Sequence, residues 1–523
     1  MNELAKKSPR GGGNCKKGFS MNVGQILTIT ANKFPKRIAA VFENERLTYQ
    51  EFNERVNRFS YFLLRMGLTR GEKVAVLLFN SISLVEIFFA SAKTGGVFTP
   101  INFRFTAEEV FYILDHSDAR FFIYGEEFSE LVEKIRSRLT KVKFYFSVGD
   151  SLPLSILNYE TCLRESLPQE PEIPLSEEDE CQLMYTSGTT GKPKGALLTH
   201  GNLLWNLFNT ILGREEKEGE TSLVIGPLYH TAALNNHFLT RVALAGTSIL
   251  VRHFDPEQVM KIIEEEKVTV ISGAPAVYHL MLSLPEGRYD TRSITKCTTG
   301  ASILPNETKE KLVKLFPNLS GIYDVYGCTE ATPSIAILKA KDSLKKRECV
   351  GPAVSFLEVR IVDNQDRDLP VGELGEVICR GPNVMKGYYK DDEATREALR
   401  GGWLHTGDLA RMDEEGFIYI VDRKKDMIVS GGENIYPREI EEVLYSHPRI
   451  EDAAIIGVPD PLWGESVKAV IVLKKGATMS EEEVIEYCKS HLASYKKPKS
   501  VEFVESLPRN PSGKVLKTVL RKR

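Results

Sequence analysis

Stretches patterned for strands and stretches patterned for helices take turns along this chain, and that alternation restricts the fold more than any other feature. Thr48 and Glu51 are spaced as a capping box, ahead of a run that places Phe52, Val56, Phe59 and Leu63 at helical intervals. The apolar stretch Val74 to Leu78 then has the length and flanks of a buried strand. Further on, Asp255-Pro256 joins a cap residue to a proline at the first helical position. Val259, Ile262 and Ile263 supply that helix's buried face, and Val268 to Ile271 reads as the next strand. Strands joined through helices pair in parallel, so an α/β architecture with mainly parallel sheets is expected.

At 523 residues the chain is expected to form more than one domain. The charged stretch "DRKKD", Asp422 to Asp426, is poor core material and suits a boundary. Strand and helix signals resume at Pro437 to Leu444, Ala453 to Val458, Val467 to Val472 and Glu481 to Leu492. Residues 1–20, with three consecutive glycines, read as a disordered tail. The expected layout is therefore a large N-terminal, multi-subdomain domain over 21–424 and a small, mobile α+β domain over 425–523.

With 42% apolar and 27% charged residues and a net charge of -3, the chain lacks the basic excess of a dedicated nucleic-acid binder. Its eight cysteines include no C-x-x-C pair, which argues against a disulfide framework or a zinc site. No apolar run reaches bilayer-spanning length, and the opening residues lack the apolar segment of a secretory signal. A reduced, cytoplasmic setting is expected, with peripheral membrane contact and homo-oligomerisation left open.

One loop carries a chemical signal. In "MYTSGTTGKPKGALLTH", Met184 to His200, glycines allow close backbone approach to an anion, and hydroxyls and lysines add donors. The spacing is not that of the familiar phosphate loop, since only Thr189 and Thr190 separate Gly188 from Gly191 and Pro193 follows Lys192. An apolar lead-in, Cys181 to Tyr185, feeds the loop, and a helix-like run follows near Asn202. No zinc helix H-E-x-x-H, nucleophile elbow G-x-S-x-G or dinucleotide fingerprint is present.

The motifs "YTSGTTGKPKG", "PLYHTAALN", "GASILP", "YGCTE", "GWLHTGDLA", "DRKKDMIVSGGENIYPREIE" and "NPSGKVLK" follow one another in an order that resembles the adenylate-forming superfamily. The run "GPNVMKGYYK" is most similar to acyl-CoA synthetases of the fatty-acid type. The resemblance implies that ATP activates a carboxylic acid as an acyl-adenylate with loss of pyrophosphate, and that the CoA thiol then displaces AMP. It implies that Thr186, Ser187, Gly188, Thr189, Thr190, Gly191, Lys192 and Lys194 gather the β- and γ-phosphates. Gly300, Ala301, Ser302, Asp324, Val325, Tyr326 and Gly327 would flank the adenine, and Thr329 would touch phosphate.

Glu330 would hold Mg²⁺, a hard cation that prefers oxygen ligands, with Thr186 as a further candidate. Asp408 would accept from both ribose hydroxyls, Arg423 would assist there, and Asn434 is a weaker candidate for contacting the adenylate. Lys514 would reach the α-phosphate and the substrate carboxylate. His230 would stand where the carboxylate and thiol channels meet. Lys425 matches the family's hinge, and Ser430, Gly431 and Gly432 would line the CoA pantetheine tunnel. His230, Thr231, Ala232, Ala233, Ala274, Val277 and Cys328 would wall the acyl pocket. These small or apolar residues favour a medium- or long-chain fatty acid, with an alicyclic or aromatic acid as the alternative. Loading of a carrier protein in place of CoA, light emission and a catalytically silent binding role are the competing readings.

Overall fold

The computed structural model describes residues 21–149, 156–186, 192–300, 302, 304–431, 433–509 and 515–522. The expected tail at 1–20 therefore lies outside the described residues, as do Ser187 to Gly191, Ala301, Gly432 and Lys514.

The helix expected after Thr48 runs from Tyr49 to Arg65. The Glu51 amide donates to Thr48 Oγ1 at 3.2 Å, and Glu51 Oε2 accepts from the Thr48 amide at 2.8 Å, which satisfies two otherwise orphaned donors. Phe52, Val56, Phe59 and Leu63 are all fully buried on one face. Asp255 caps the helix Pro256–Glu266 in the same way, its Oδ1 accepting from the Gln258 amide at 2.8 Å. The strand that follows is Val270–Gly273, shifted from the expected Val268 to Ile271, because the Val268 amide still donates to Ile263 and closes the helix.

Two eight-stranded sheets form the bulk of the chain. In one, parallel neighbours Ile38–Phe42, Thr247–Leu250, Thr221–Val224, Val270–Gly273, Lys296–Gly300 and Ile322–Gly327 are flanked by antiparallel Glu45–Thr48 and Ser334–Leu338. The other is parallel from Leu157–Asn158 through Phe144–Val148, Phe121–Gly125, Lys73–Leu77 and Val97–Pro100 to Glu180–Thr186. Its far edge is antiparallel, adding Lys194–Thr199 and Gly387–Tyr388. The helix Ile82–Thr94 is buried at every position, so it belongs to the interior between layers. The α/β architecture read from the sequence is therefore the one observed.

A four-stranded antiparallel sheet follows, built from Glu358–Val362, Gly375–Arg380, Leu404–Met412 and Ile418–Arg423. The last sheet has five strands, Glu433–Ile435, Ile428–Ser430, Gly464–Leu473, Ile450–Asp460 and Ser500–Phe503, with helices Pro437–Tyr445 and Glu481–His491 against it. Two hydrophobic clusters, one around Ile455 and Ile471 and one around Ile456 and Leu520, draw only on residues from 428 onward.

The "DRKKD" stretch is more structured than its charge suggested. Asp422 is the penultimate residue of the strand Ile418–Arg423 and is buried, its carboxylate accepting from the Arg423 amide at 2.6 Å and the Arg438 amide at 2.9 Å. Among the described residues no helix is long and apolar enough to cross a membrane.

Candidate active site

A cleft of about 4540 Å³ opens at the carboxyl ends of the parallel strands, the usual ligand position in open α/β sheets. Thr186, Lys192 and Lys194 reach it from one eight-stranded sheet. His230 to Ala233, Ala274, Gly300, Ser302 and Asp324 to Glu330 reach it from the other. Asp408, Arg423 and Lys425 enter from the antiparallel sheet and the turn after it. Residues scattered over some 240 positions of sequence thus share one cavity.

The anion-loop region has an unexpected frame. Lys194–Thr199 is a strand antiparallel to Glu180–Thr186, with Thr186 opposite Lys194, and the helix His200–Gly213 starts only afterwards. Ser187 to Gly191 therefore link two neighbouring antiparallel strands, and Thr186 Oγ1 donates to the Lys194 carbonyl at 3.5 Å at the base.

The wall expected to face adenine is made of backbone in close contact. A Cβ added to Gly300 would sit 2.9 Å from the Val325 carbonyl oxygen, and one added to Gly327 would overlap the Pro333 carbonyl, so both positions exclude any larger residue. The Asp324 carboxylate is already occupied: it is buried, accepting from Lys309 Nζ at 2.8 Å and Ser343 Oγ at 3.2 Å. Its side chain braces the wall, which leaves the backbone of this strand as the surface toward the cleft.

Asp408 is a closely held carboxylate in the cleft. It is 5% exposed, Tyr326 donates its phenol to Oδ2 at 2.7 Å, and Arg423 Nε approaches Oδ1 at 2.8 Å. The Tyr326 hydrogen bond on one oxygen and the Arg423 ion pair on the other aim the group and leave it lone pairs to accept from two vicinal hydroxyls. Burial, reinforced by the Asp408 charge, pushes the Tyr326 phenol well above its ordinary value, so it stays a donor.

Glu330 follows Ile322–Gly327 in a short 3₁₀ turn. Its Oε1 accepts from the Tyr388 phenol at 2.8 Å, and its carbonyl accepts from the Met385 amide at 2.8 Å. Lys194 Nζ lies 5.3 Å from the Tyr388 ring centre. Tyr388 thus ties the acidic residue to the lysine-bearing strand, and burial followed by the Glu330 charge raises its phenol pKa. Among the described residues no cluster of three or more His, Cys, Asp or Glu forms a preassembled metal cage. A single oriented carboxylate with one oxygen unclaimed fits Mg²⁺, which keeps most of its shell for water and substrate phosphates.

His230 lies between the strand Thr221–Val224 and the π-helical segment Ala232–Phe238, a type of irregularity frequent at functional sites. Burial, with Arg104 adding to it, lowers the imidazole pKa to about 4, so the ring is neutral at ordinary pH. Thr231, Ala232, Ala233, Ala274 and Cys328 line the same cleft. Val277 does not: it is turned onto the core, with a Cγ 2.9 Å from where a Gly273 Cβ would lie, which corrects its expected place in the acyl wall.

Ser430, Gly431 and Asn434 are also absent from the cleft lining. Gly431 sits at φ +61°, its amide donating to Trp463 O at 2.8 Å, and an added Cβ would fall 2.5 Å from the Trp463 ring. Arg509 and Val515, an isolated bridge outside that sheet on either side of Lys514 in sequence, line the cleft instead. The basic bias of this region is mostly neutralised: Lys496 pairs with Glu439, Lys517 with Glu441, Arg509 with Asp452 and Arg521 with Asp426. Sequence reasoning overlooked Tyr388, although "GPNVMKGYYK" had been singled out.

Comparison with known proteins shows the family. Residues 27–389 match the family described as AMP-binding enzyme, and residues 439–514 match its C-terminal domain. A feruloyl-CoA synthase of an Amycolatopsis species is 39% identical over 495 residues, covering 94% of this chain and 97% of the relative. A long-chain-fatty-acid–CoA ligase of Mycobacterium tuberculosis is 35% identical over 506 residues, covering 96% and 98%. An anthranilate CoA ligase solved with anthranoyl-AMP superimposes with a TM-score of 0.88 at 26% identity, covering 96% of this chain and 97% of that one. The chain belongs to the AMP-binding enzyme family. Within it, the protein is an ATP-dependent CoA ligase, an acid–thiol ligase that works with Mg²⁺.

Proposed function

We propose that the cleft adenylates an organic acid with an apolar body and then passes the acyl group to CoA, with roles divided as follows. Thr186 to Lys194 hold the leaving pyrophosphate. Asp408, aimed by Tyr326 and Arg423, grips both ribose hydroxyls and fixes the α-phosphorus relative to the acid. The Gly300 and Asp324–Gly327 backbone forms one face of the adenine slot. Glu330, steadied by Tyr388, is the protein's ligand to Mg²⁺, with Thr186 as a second donor; bound there, the ion supplies counter-charge for the phosphates. Neutral His230 orients the carboxylate, and Lys514 brings positive charge to the point where two anions meet. Little protein nucleophilicity is needed, because positioning and charge compensation lower the barrier.

The observation that carries this reading is Asp408, buried in the cleft, hydrogen-bonded by Tyr326 on one oxygen and ion-paired with Arg423 on the other. A hinge at Lys425, dividing 21–424 from 425–523, would let the lobe withdraw Lys514 and present Ser430 to Gly432 to the pantetheine arm. The acid is a medium- or long-chain fatty acid on the strength of the small residues Ala232, Ala233 and Ala274 in the lining. An aromatic acid is the second reading, favoured by the higher identity to the feruloyl-CoA synthase.

The test combines an acid panel with Lys514→Ala. Acid-dependent pyrophosphate release and CoA thioester formation are expected from wild type. The variant should lose adenylation and keep most thiolysis of a supplied acyl-adenylate; equal loss of both halves would refute the division of labour. Transfer to a carrier protein but not to free CoA would refute the acceptor.

A further inference from the structure

Behind the small residues of the acyl wall lies a polar group that an alkyl-binding pocket does not need. His237 lines the cleft on the π-helical segment that begins just after His230. Ser272 Oγ lies 2.8 Å from its Nδ1, and Arg214 Nη1 lies 3.1 Å from the same nitrogen. Ser272 in turn contacts Thr298 Oγ1 on the adjacent parallel strand, the two residues being register partners.

The donor identities fix the proton on His237. A guanidinium can only donate, and Arg214 Nη1 spends its two hydrogens on the Asn236 carbonyl at 3.1 Å and on His237 Nδ1. Nδ1 must therefore be an acceptor, so the ring's one proton sits on Nε2. Nδ1 has one lone pair, so Ser272 can only share it with Arg214, and the tautomer rests on the guanidinium. Burial, with Arg214 next in effect, holds the pKa of His237 well below its ordinary value, in keeping with a neutral ring. Nε2–H makes no hydrogen bond among the described residues, and His237 is half-buried in the cleft wall.

Most neighbouring polar groups have partners, Arg214 Nε excepted. Asn236 Oδ1 accepts from Asn206 and Thr210, and its Nδ2 donates to Ser334. Arg214 is 1% exposed and paired with Glu216 at 2.6 Å. Of these groups half-buried His237 combines an unused donor with a place in the cleft lining, which the unpartnered Arg214 Nε lacks.

We propose that His237 Nε2–H is a specificity donor that selects acids carrying an acceptor oxygen on the acyl body, such as a ring ether, phenol or ketone, over plain hydrocarbon acids. The inference rests on the CoA-ligase reading above and narrows its substrate class. Its physical basis is asymmetric: a matched oxygen gains a hydrogen bond, while a hydrocarbon in the same place leaves a donor desolvated and unpaired.

The experiment compares near-isosteric acids that differ in one atom: 3- and 4-methoxycinnamate against 3- and 4-ethylcinnamate, and 7-oxooctanoate against octanoate. For each pair kcat/KM for CoA thioester formation is measured on wild type, His237→Leu and His237→Gln. Wild type should prefer the oxygenated member of at least one pair by roughly tenfold. His237→Leu should remove or invert that preference, since an apolar wall favours the hydrocarbon. His237→Gln, which retains an N–H donor, should keep part of it. A ratio of two substrates on one protein sample is unaffected by how much of a variant folds. No preference in any wild-type pair, or the same preference in His237→Leu, overturns this inference while leaving the ligase reading intact. No thioester from any acid overturns both.

Discussion

Replacing Tyr326 by phenylalanine removes a single oxygen atom and tests how Asp408 is aimed. In the wild type that phenol donates to Asp408 Oδ2 at 2.7 Å, and Arg423 Nε approaches the other oxygen at 2.8 Å. A hydrogen bond to a buried charge contributes about 1.5–3 kcal/mol, or roughly ten- to a hundredfold in an equilibrium constant. Arg423 remains in Tyr326→Phe, and its side chain is 40% exposed, so water can enter and soften the loss. The expected effect is therefore at the lower end: KM for ATP raised about tenfold in acid-dependent ATP–pyrophosphate exchange, with KM for the acid nearly unchanged. The control is 2′,3′-dideoxyATP, which lacks the hydroxyls that Asp408 would accept. Wild type should be impaired with it, and Tyr326→Phe should add little further penalty. An equal penalty with ATP and with the dideoxy nucleotide would show that Tyr326 does not act through a ribose-holding carboxylate.

Tyr388→Phe deletes the donor that orients Glu330 at 2.8 Å. It should raise the Mg²⁺ concentration for half-maximal adenylation several-fold without changing KM for the acid, and an unchanged Mg²⁺ titration would separate Tyr388 from the metal. A pH dependence of stability follows from two histidines. Burial lowers the pKa of His200, which accepts from the Val23 amide at 3.2 Å, and of His230, each to about 4. Both stay neutral in the fold while the unfolded chain binds protons from pH ~6.5 downward. Their contribution is thus complete above that pH and lost as pH falls toward 4, by up to about 3 kcal/mol each. Urea midpoints should fall between pH 7 and 5, and His200→Asn should flatten the fall; an unchanged slope in that variant would contradict the assignment.

What could be read in advance was whatever local rules decide. The Thr48–Glu51 box and the Asp255-Pro256 start each involve residues within one helical turn, so spacing alone located them. Lys194–Thr199 escaped because "KGALLT" has no alternation and its strand character comes from pairing with Glu180–Thr186. The link from Tyr326 to Asp408 spans 82 positions and that from Tyr388 to Glu330 spans 58, distances across which no periodicity carries information. Val277 was misplaced for a related reason: a valine beside small residues reads as pocket wall until the helix Pro275–Leu282 is seen to turn it onto the core. His237 was invisible as a functional residue, since its tautomer depends on Arg214, which belongs to another element.

The antiparallel frame around Ser187 to Gly191 bears on how the reaction ends. A loop that feeds directly into a helix lends its anion the standing dipole of that helix, about half a positive charge that never leaves. Here both flanking segments are strands, so on the proposed role of this loop the counter-charge for a departing diphosphate would fall to lysine ammonium groups and to an ion that can depart with it. Egress then needs no separation from a permanent field, and turnover in this enzyme should respond to ionic strength at the exit step more than at the entry of the acid.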